Sequence, residues 1–543
     1  MKKYFICLMV IGLTANYTCH VYSQKNDDAA NLITSSDLES YVSFLASPLL
    51  RGRKNGEKEL EIAAQYITSQ AKLLGLKPAN KGSYLQPFSV YKKIIDPENS
   101  GIHIITGSET TTIKESMFQL IPIEPNDFMI DGEVVFAGYG IKADKYKYND
   151  FNNINAEGKI LLIMDRAPMS EDGKKGLFDE SAWMDEMNFQ LKLTTLVLTK
   201  AKAIIIVPDP KSGFNSLSEN PSIAAYLDSK NSLRDEPEPA MNSFMTGMPK
   251  VIIVNRSVAD ELLKNTGHTL EDLQKSIDSS FQPNSFVITG KKLEINEVAM
   301  SKELILNNVA GYIEGSDNTL KNEVIVFSSH YDHIGASGNL VYTGADDDAS
   351  GCAALLSMAE AFQGLENKPL RSVLFLWVSG EEIGLYGSKS YVNSPLFPLD
   401  KTVVNLNMDM IGRVKSLADS TDETPMSGPE TVYVITDNQS RELRQIAEET
   451  DRKSKLIFDY SLSGQSHPLQ LFQRSDHFNF VKNDIPVLFF TTGLHTDYHT
   501  PGDVVEKIDF RKMELIARTM FEIGLTVANK NPRLFIDNPY SKW

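Results

Sequence analysis

After about residue 300 the chain repeats one pattern: a continuous apolar run, a polar break, then a helical stretch. The runs are VIVFSS (324–329), SVLFLWV (372–378), VVNLNM (403–408), TVYVIT (431–436) and IPVLFFT (485–491). A strand with one wet face alternates apolar and polar residues, so unbroken runs of this length fit strands covered on both faces. Between the first two lies ASGCAALLSMAEAFQGL (349–365), which puts Ala353, Leu356 and Phe362 on one side of a helix. Alternating strands and helices predict an α/β fold: a twisted, mostly parallel (mixed) central sheet flanked by helices on both faces.

In such a sheet, ligands bind in the crevice beyond the carboxyl ends of the strands. The residues just past those ends are therefore the first to inspect. VIVFSS runs into His330-Tyr331-Asp332-His333, SVLFLWV into Ser379-Gly380-Glu381-Glu382, and VVNLNM into Asp409. IPVLFFT is soon followed by His495-Thr496-Asp497-Tyr498-His499. Four strands thus deliver His, Glu-Glu, Asp and His to one edge. Of the eight histidines after residue 23, six fall between 330 and 499.

The stretch GADDDASG (344–351) adds three consecutive aspartates before the helix. A calcium loop of the helix–loop–helix kind fails here, because the position that needs a bidentate glutamate holds Ser357. Two imidazoles and three carboxylates suit Zn²⁺, which accepts nitrogen and carboxylate oxygen. One carboxylate can bridge two ions, which leaves two further ligands for each. Of the adjacent pair Glu381-Glu382, one can ligate while its neighbour handles a proton.

HYDHIG, GADDDASG, SGEEIGLYGS, NMDMIG, RSDHF and DYHTPGD, in this order, resemble the motifs of the di-zinc aminopeptidase family that includes glutamate carboxypeptidase II. The resemblance covers roughly 303–525, and the helical segment 35–90 is similar to the start of the same catalytic domain. It implies an exopeptidase, foremost an aminopeptidase, with two Zn²⁺ per chain and a peptide substrate. It also implies that a water shared between the ions attacks the scissile carbonyl, with Glu381 as general base. One ion would be held by His330, Asp347 and Asp409, and the other by Asp347, Glu382 and His499, with Asp347 as the bridge. Asp332 would orient the His330 ring, and Asp476 and His477 would lie near the substrate pocket. Asp346 and Asp348 are left to shape the loop or face solvent, and His333 and His495 to play structural or supporting parts. Some relatives carry an oxyanion-stabilising tyrosine before the Asp-His pair; LQLFQRSDH has Phe472 and Gln473 there, so no oxyanion donor is assigned. A glutaminyl-cyclase-type transferase, a carboxypeptidase and a catalytically dead binding module share this resemblance. The complete ligand set ranks the first and last below hydrolysis.

Ahead of this region, SSDLESYVSFL and EKELEIAAQYITSQAKLLGL have helical spacing, with Asp37 or Ser36 as a cap of the first and Gly75 as the end of the second. From about 119 to 287 the texture changes to short β-like runs, GEVVFAGYGI, KILLIMDRAP, AIIIVPDP and PKVIIVN, separated by polar loops. The expected organisation is a catalytic domain from 34–118 and 288–530, interrupted by a β-rich insert at 119–287. That insert resembles a protease-associated domain.

The N-terminus sets Lys2 and Lys3 before an apolar stretch from Tyr4 to about Ala15, with Ser23 beyond it. This reads as a secretory signal peptide over 1–23, hence a periplasmic or extracellular protein. A lipidated Cys19 is the lesser reading, since Tyr17-Thr18 before it is bulky. After cleavage only Cys352 remains, as a small core residue, so no internal disulfide is expected. A net charge of −17 offers no basic footprint for nucleic acid, and no apolar run approaches the roughly 20 residues of a membrane span.

Overall fold

The computed structural model describes residues 28–540, apart from 97, 115–116, 122–127, 173–175, 177, 179–191, 193–194, 217–218, 220–232, 234–248, 338, 417–424, 437 and 466. The signal-peptide reading falls outside the described residues. The chain forms two compact units, one of residues up to Val90 and from Leu304 on, the other Tyr91–Glu303. Among the described residues no helix is long and apolar enough to cross a membrane.

The first unit opens with α1 (Ser35–Leu45) and α2 (Lys58–Leu73). The cap of α1 is Thr34, two positions before Ser36 and three before Asp37, the candidates read from sequence: its hydroxyl accepts from the Asp37 N–H at 3.2 Å. Asp37 instead supplies negative charge to the first turn, where the helix dipole favours it. Gly75 follows the end of α2 with φ +78°, the left-handed conformation that stops a helix. The sheet contains β1 (Lys77–Pro78), β2 (Leu85–Ile95), β3 (Ala299–Ile313), β4 (Val324–His330), β5 (Ser372–Val378), β6 (Thr402–Met408), β7 (Thr431–Thr436), β8 (Ile457–Asp459) and β9 (Val487–Thr491). Its order is β1-β3-β5-β4-β6-β9-β7-β8, with β2 added on β3. Strands β5, β4, β6 and β9 are mutually parallel, while β3 and β7 join them antiparallel.

Both faces of this sheet are covered, which is why its strands read as continuous apolar runs. Val324 and Val326 of β4 share a core with Tyr391 of α4 (Tyr386–Asn393) and Phe480 of α6 (His477–Val481). On the opposite face Phe327 packs 5.6 Å from Phe362 of α3 (Gly351–Gln363). Phe362 lies 4.6 Å from Phe521 of α7 (Phe510–Asn529). Helix α7 comes this close because position 524 is glycine: a Cβ there would sit 2.3 Å from the Phe327 ring. A fifth helix, α5 (Arg441–Asp451), completes the numbering between α4 and α6.

The chain leaves β4 toward β5 on one side and then places β6 on the other side of β4. That reversal of direction opens a crevice at the carboxyl ends of β4 and β6. His330 ends β4 and Asp409 directly follows β6, so the crevice already holds two of the candidate residues.

The second unit is wider than the expected 119–287. Strand Glu109–Ile113 pairs with Gly101–Thr106, which pairs with Phe286–Glu297 and through it joins Phe128–Phe136, so the flanking residues belong to the same sheet. Beyond these lie Ile160–Met164, Ala203–Val207, Lys250–Val254 and Phe118–Ile121. Ile160, Leu162 and Met164 enter one core and Leu161 and Ile163 another, which makes this sheet covered on both faces as well. The buried carboxylate of Asp150 ties its AGYGI turn, accepting from Tyr139 N (3.1 Å), Ile141 N (3.0 Å) and the Tyr148 hydroxyl (2.8 Å). Asp150→Ala strands two backbone N–H groups and is expected to destabilise this unit by about 2–4 kcal/mol. Urea unfolding followed by a probe within the unit checks this; an unchanged midpoint contradicts it.

Candidate metal centre

The acidic stretch does not face water. Ala345–Ser350 forms a wide helical turn broken at Asp347 (φ −103°, ψ 95°) and Asp348 (φ −125°, ψ 47°), and all three aspartates are buried. Each carboxylate has its own surroundings. Asp346 accepts from Gly412 N at 2.6 Å and stands 3.4 Å from His495 Nε2. Asp348 accepts from Gly351 N (2.8 Å), Met410 N (3.2 Å) and His330 N (3.2 Å), tying the turn to the ends of β4 and β6. Only Asp347 turns toward the crevice. The expectation that the outer aspartates could be solvated is thus corrected: backbone N–H groups that need acceptors hold them inside.

The turn is held from behind by two residues that sequence reasoning passed over. Arg53 is completely buried, and its guanidinium donates to the carbonyls of Leu45 (2.6 Å), Tyr331 (2.8 Å), Thr343 (2.7 Å) and Gly344 (3.0 Å). It therefore fastens the segment after β4 to the acidic turn. The Asp503 carboxylate, from the DYHTPGD motif, accepts from Asp346 N at 3.0 Å and Asp347 N at 3.1 Å. Burial, then Asp346 beside it, pushes its carboxyl up to about 6.

In the crevice the candidates converge. Asp347 Oδ1 is 3.1 Å from His330 Nε2, and that nitrogen is 3.5 Å from Asp409 Oδ1. Asp347 Oδ2 is 3.3 Å from His499 Nε2, which is 2.9 Å from Glu382 Oε2. The donor atoms fall into two groups that share Asp347: His330, Asp347 and Asp409 in one, and His333, Asp347, Glu382 and His499 in the other. His333, read from sequence as a supporting residue, joins the second group with Nδ1 2.7 Å from Glu382 Oε1.

The donor set fits a divalent cation. His330 Nε2, His499 Nε2, Glu382 Oε1, Asp409 Oδ1 and both His333 ring nitrogens are buried without a hydrogen-bond partner, although acceptors and donors stand close by. Polar atoms crowded together yet unpaired are costly unless something lies between them. The field agrees. Burial pulls the His499 imidazole down, but Asp347 and Glu382 outweigh it and push it up to about 10. Burial likewise opposes a charged His330, yet Asp409, Glu381 and Asp347 hold its imidazole well above its ordinary value. The crevice favours positive charge, and imidazole nitrogen with carboxylate oxygen is the donor chemistry of Zn²⁺.

Asp332 behaves differently from expectation. The group at hydrogen-bond distance from His330 Nδ1 is the Asp332 carbonyl, at 3.1 Å; its carboxylate stands 3.7 Å away. That carboxylate accepts instead from Asn55 Nδ2 (2.6 Å) and from the N–H groups of Glu381 and Glu382 (3.3 Å each), fixing the turn after β5. Glu381 lines the cavity in front of the donor groups with Asp347 and Asp409, and it belongs to neither group. Burial pushes its carboxyl well above the ordinary range, and Glu382, Asp409 and Asp476 add to this against His330. Burial and Asp347 also push Glu382 up, but His333 and His499 outweigh them and hold it below that range.

Of the RSDHF segment, Arg474 and Ser475 reach the cavity, and Asp476 and His477 lie fully buried behind them. Burial pulls the His477 imidazole down to about 3, and its ring stacks 4.7 Å from Phe489, as a core residue does. The cavity wall also contains Tyr498, which stacks on His499 at 3.9 Å and accepts from Arg474 Nη2 at 3.0 Å. This tyrosine sits beside the last histidine of the set and not in the segment before Asp476, where Phe472 and Gln473 stand. Cys352 is buried with its thiol donating to the His330 carbonyl at 3.1 Å, in keeping with a core role.

Leucine aminopeptidase 2 of Trichophyton rubrum is 27% identical to this chain over 250 residues, 41% of this chain and 46% of that protein. A vacuolar membrane protease of Verticillium alfalfae is 39% identical over 99 residues, 18% of this chain and 9% of that protein. The chain therefore spans less than half the length of these curated relatives. Among solved structures, the aminopeptidase from Aneurinibacillus sp. strain AM-1 aligns over 94% of this chain and 98% of its own, at 19% identity and a TM-score of 0.47. Residues 308–524 match the model of Peptidase family M28. The stretch matched by that family model carries every member of both donor groups.

Proposed function

We propose that this chain is an exported, zinc-dependent exopeptidase, and specifically an aminopeptidase. The observation that carries the reading is the pair of donor groups sharing Asp347, with Glu381 beside them in an open cavity. His330, Asp347 and Asp409 would hold one ion, and Asp347, Glu382 and His499 the other. Zinc bound there supplies Lewis-acid polarisation of the scissile carbonyl and a water acidic enough to ionise near neutral pH. Glu381 would take a proton from the attacking water and hand it to the departing amine, as a general base that becomes a general acid. The Tyr498 hydroxyl, braced by Arg474, supplies a hydrogen bond to the developing oxyanion. The insert is read as a protease-associated domain. Export rests on Lys2-Lys3, the short apolar stretch after them and Ser23.

Zinc-loaded protein is expected to cleave peptides with a free N-terminus and to leave N-terminally blocked ones intact. A chelator is expected to abolish this activity, and added zinc to restore it. Cleavage of blocked peptides from the C-terminal end would overturn the aminopeptidase reading. Activity indifferent to the chelator would overturn the metal centre itself.

A further inference from the structure

Arg474 is the one cation among the described residues that line the cavity. Among the described residues no carboxylate pairs with it, and its guanidinium makes one hydrogen bond, to the Tyr498 hydroxyl. Given the aminopeptidase reading above, on which this rests, we infer that Arg474 receives a carboxylate carried by the residue just after the scissile bond. That carboxylate is either the C-terminus of a dipeptide or the side chain of an Asp or Glu in second position.

The guanidinium is fixed relative to the donor groups. Tyr498 stacks on His499 with ring centroids 3.9 Å apart. The Arg474 guanidinium lies 5.7 Å from the Tyr498 ring, and its Nη2 donates to the hydroxyl at 3.0 Å. The backbone beneath it is held as well. Arg474 N donates to the Leu471 carbonyl at 3.2 Å, and Asn407 of β6 donates to the Ser475 hydroxyl at 2.9 Å. The phenol occupies one of the five N–H groups a guanidinium carries, which leaves a fork for a ligand. A planar fork matches the two oxygens of a carboxylate in parallel hydrogen bonds.

Charge and reach select the ligand. The other charged groups of the wall are the carboxylates Asp347, Glu381 and Asp409. Asp347 and Asp409 are buried members of the donor groups, so bound metal would neutralise them. Arg474 is exposed, on the open side, and the chain supplies it no counter-charge. With the phenol on the scissile carbonyl, the guanidinium stands two hydrogen bonds from that oxygen, about 6 Å. One residue of extended chain spans about 3.5 Å, so the group within reach belongs to the first residue after the bond. In a longer peptide with a neutral second residue an amide takes that place, and the charge-assisted contact is lost.

The test uses the full-length, zinc-loaded protein and compares kcat/KM for substrates that share an N-terminal leucine, suited to the apolar wall of Met410, Leu471 and Leu494. They are Leu-Ala, Leu-Ala amide, Leu-Glu amide, Leu-Gln amide and leucine p-nitroanilide. Wild type is expected to favour Leu-Ala over its amide, or Leu-Glu amide over Leu-Gln amide, by about 10- to 100-fold. The first preference identifies the chain terminus as the source of the carboxylate, the second an acidic side chain. Arg474→Gln should bring that ratio close to one, and Arg474→Lys, which keeps the charge without the fork, should keep part of it. Arg474→Gln also frees Tyr498 and should slow all the substrates, so the ratio within each protein is the readout. Tyr498→Phe should slow them all and leave the ratio as it was. Ratios near one in both wild-type pairs, or a ratio that survives Arg474→Gln, overturn the inference. Leucine p-nitroanilide carries no carboxylate: its cleavage without either preference defeats this inference alone, whereas zinc-loaded protein that cleaves none of the substrates defeats the aminopeptidase reading.

Discussion

Glu381→Gln is expected to retain both metal ions and lose about two to four orders of magnitude in kcat, the usual worth of a positioned general base. Glutamine preserves the shape of the side chain, and the backbone N–H of residue 381 keeps its acceptor in Asp332. Only the capacity to take a proton is removed. KM should change little, because a group that acts in proton transfer does not hold the ground-state substrate. The neighbouring change, Glu382→Gln, separates the two roles. Glu382 places both carboxylate oxygens against imidazole nitrogens, at 2.7 and 2.9 Å, and its substitution should release metal before it alters any rate constant. Adjacent glutamates thus part company because their surroundings differ: one faces the cavity and its carboxylate neighbours, the other faces two histidines. Metal analysis and steady-state kinetics on the same preparations decide the matter. Glu381→Gln that hydrolyses peptides within a few-fold of wild type, or that loses zinc, sinks the assignment.

The parts of this molecule that were legible in sequence are those whose cause is local. Strands covered on both faces write themselves as apolar runs, and the residues that end them must lie along one edge, so His330, Glu382 and Asp409 could be placed together before any coordinates. What the sequence concealed depends on partners far along the chain. Arg53 looks like one more surface cation after a short helix, because its carbonyl acceptors at Tyr331, Thr343 and Gly344 are nearly 300 positions distant. His333 differs from an ordinary core histidine only by what its ring meets. The edge of the second unit was misplaced for a related reason. Its first strands include the polar, exposed ETTTI, whose membership in the sheet comes from pairing with Gly101–Thr106, itself paired with residues near 290, and leaves no apolar signature. The burial of Asp346 and Asp348 was hidden too, since three aspartates in a row look solvated until backbone donors are found for each.

That last point changes what substitution of the acidic turn should reveal. Asp347→Asn is expected to cost both metal and activity, with zinc content falling from two ions to at most one. Its two oxygens are divided between the donor groups, Oδ1 toward His330 and Oδ2 toward His499, so a single amide nitrogen spoils one group outright. The loss of its negative charge weakens the other. Asp348→Asn should act on a different quantity. It places an amide among the N–H groups of Gly351, Met410 and His330, where acceptors are required, and should lower folding stability by about 2–4 kcal/mol. Zinc retained per folded molecule should stay near two. Asp346→Asn should resemble it, because Gly412 N loses its carboxylate acceptor. The three variants are then separated by two measurements, zinc content of the folded fraction and thermal stability of the metal-free protein. Asp347→Asn should move mainly the first, and its neighbours mainly the second. Equal loss of metal in all three would mean that the turn holds cations by bulk charge alone. In that case the division of Asp347 between two groups would carry no chemical weight.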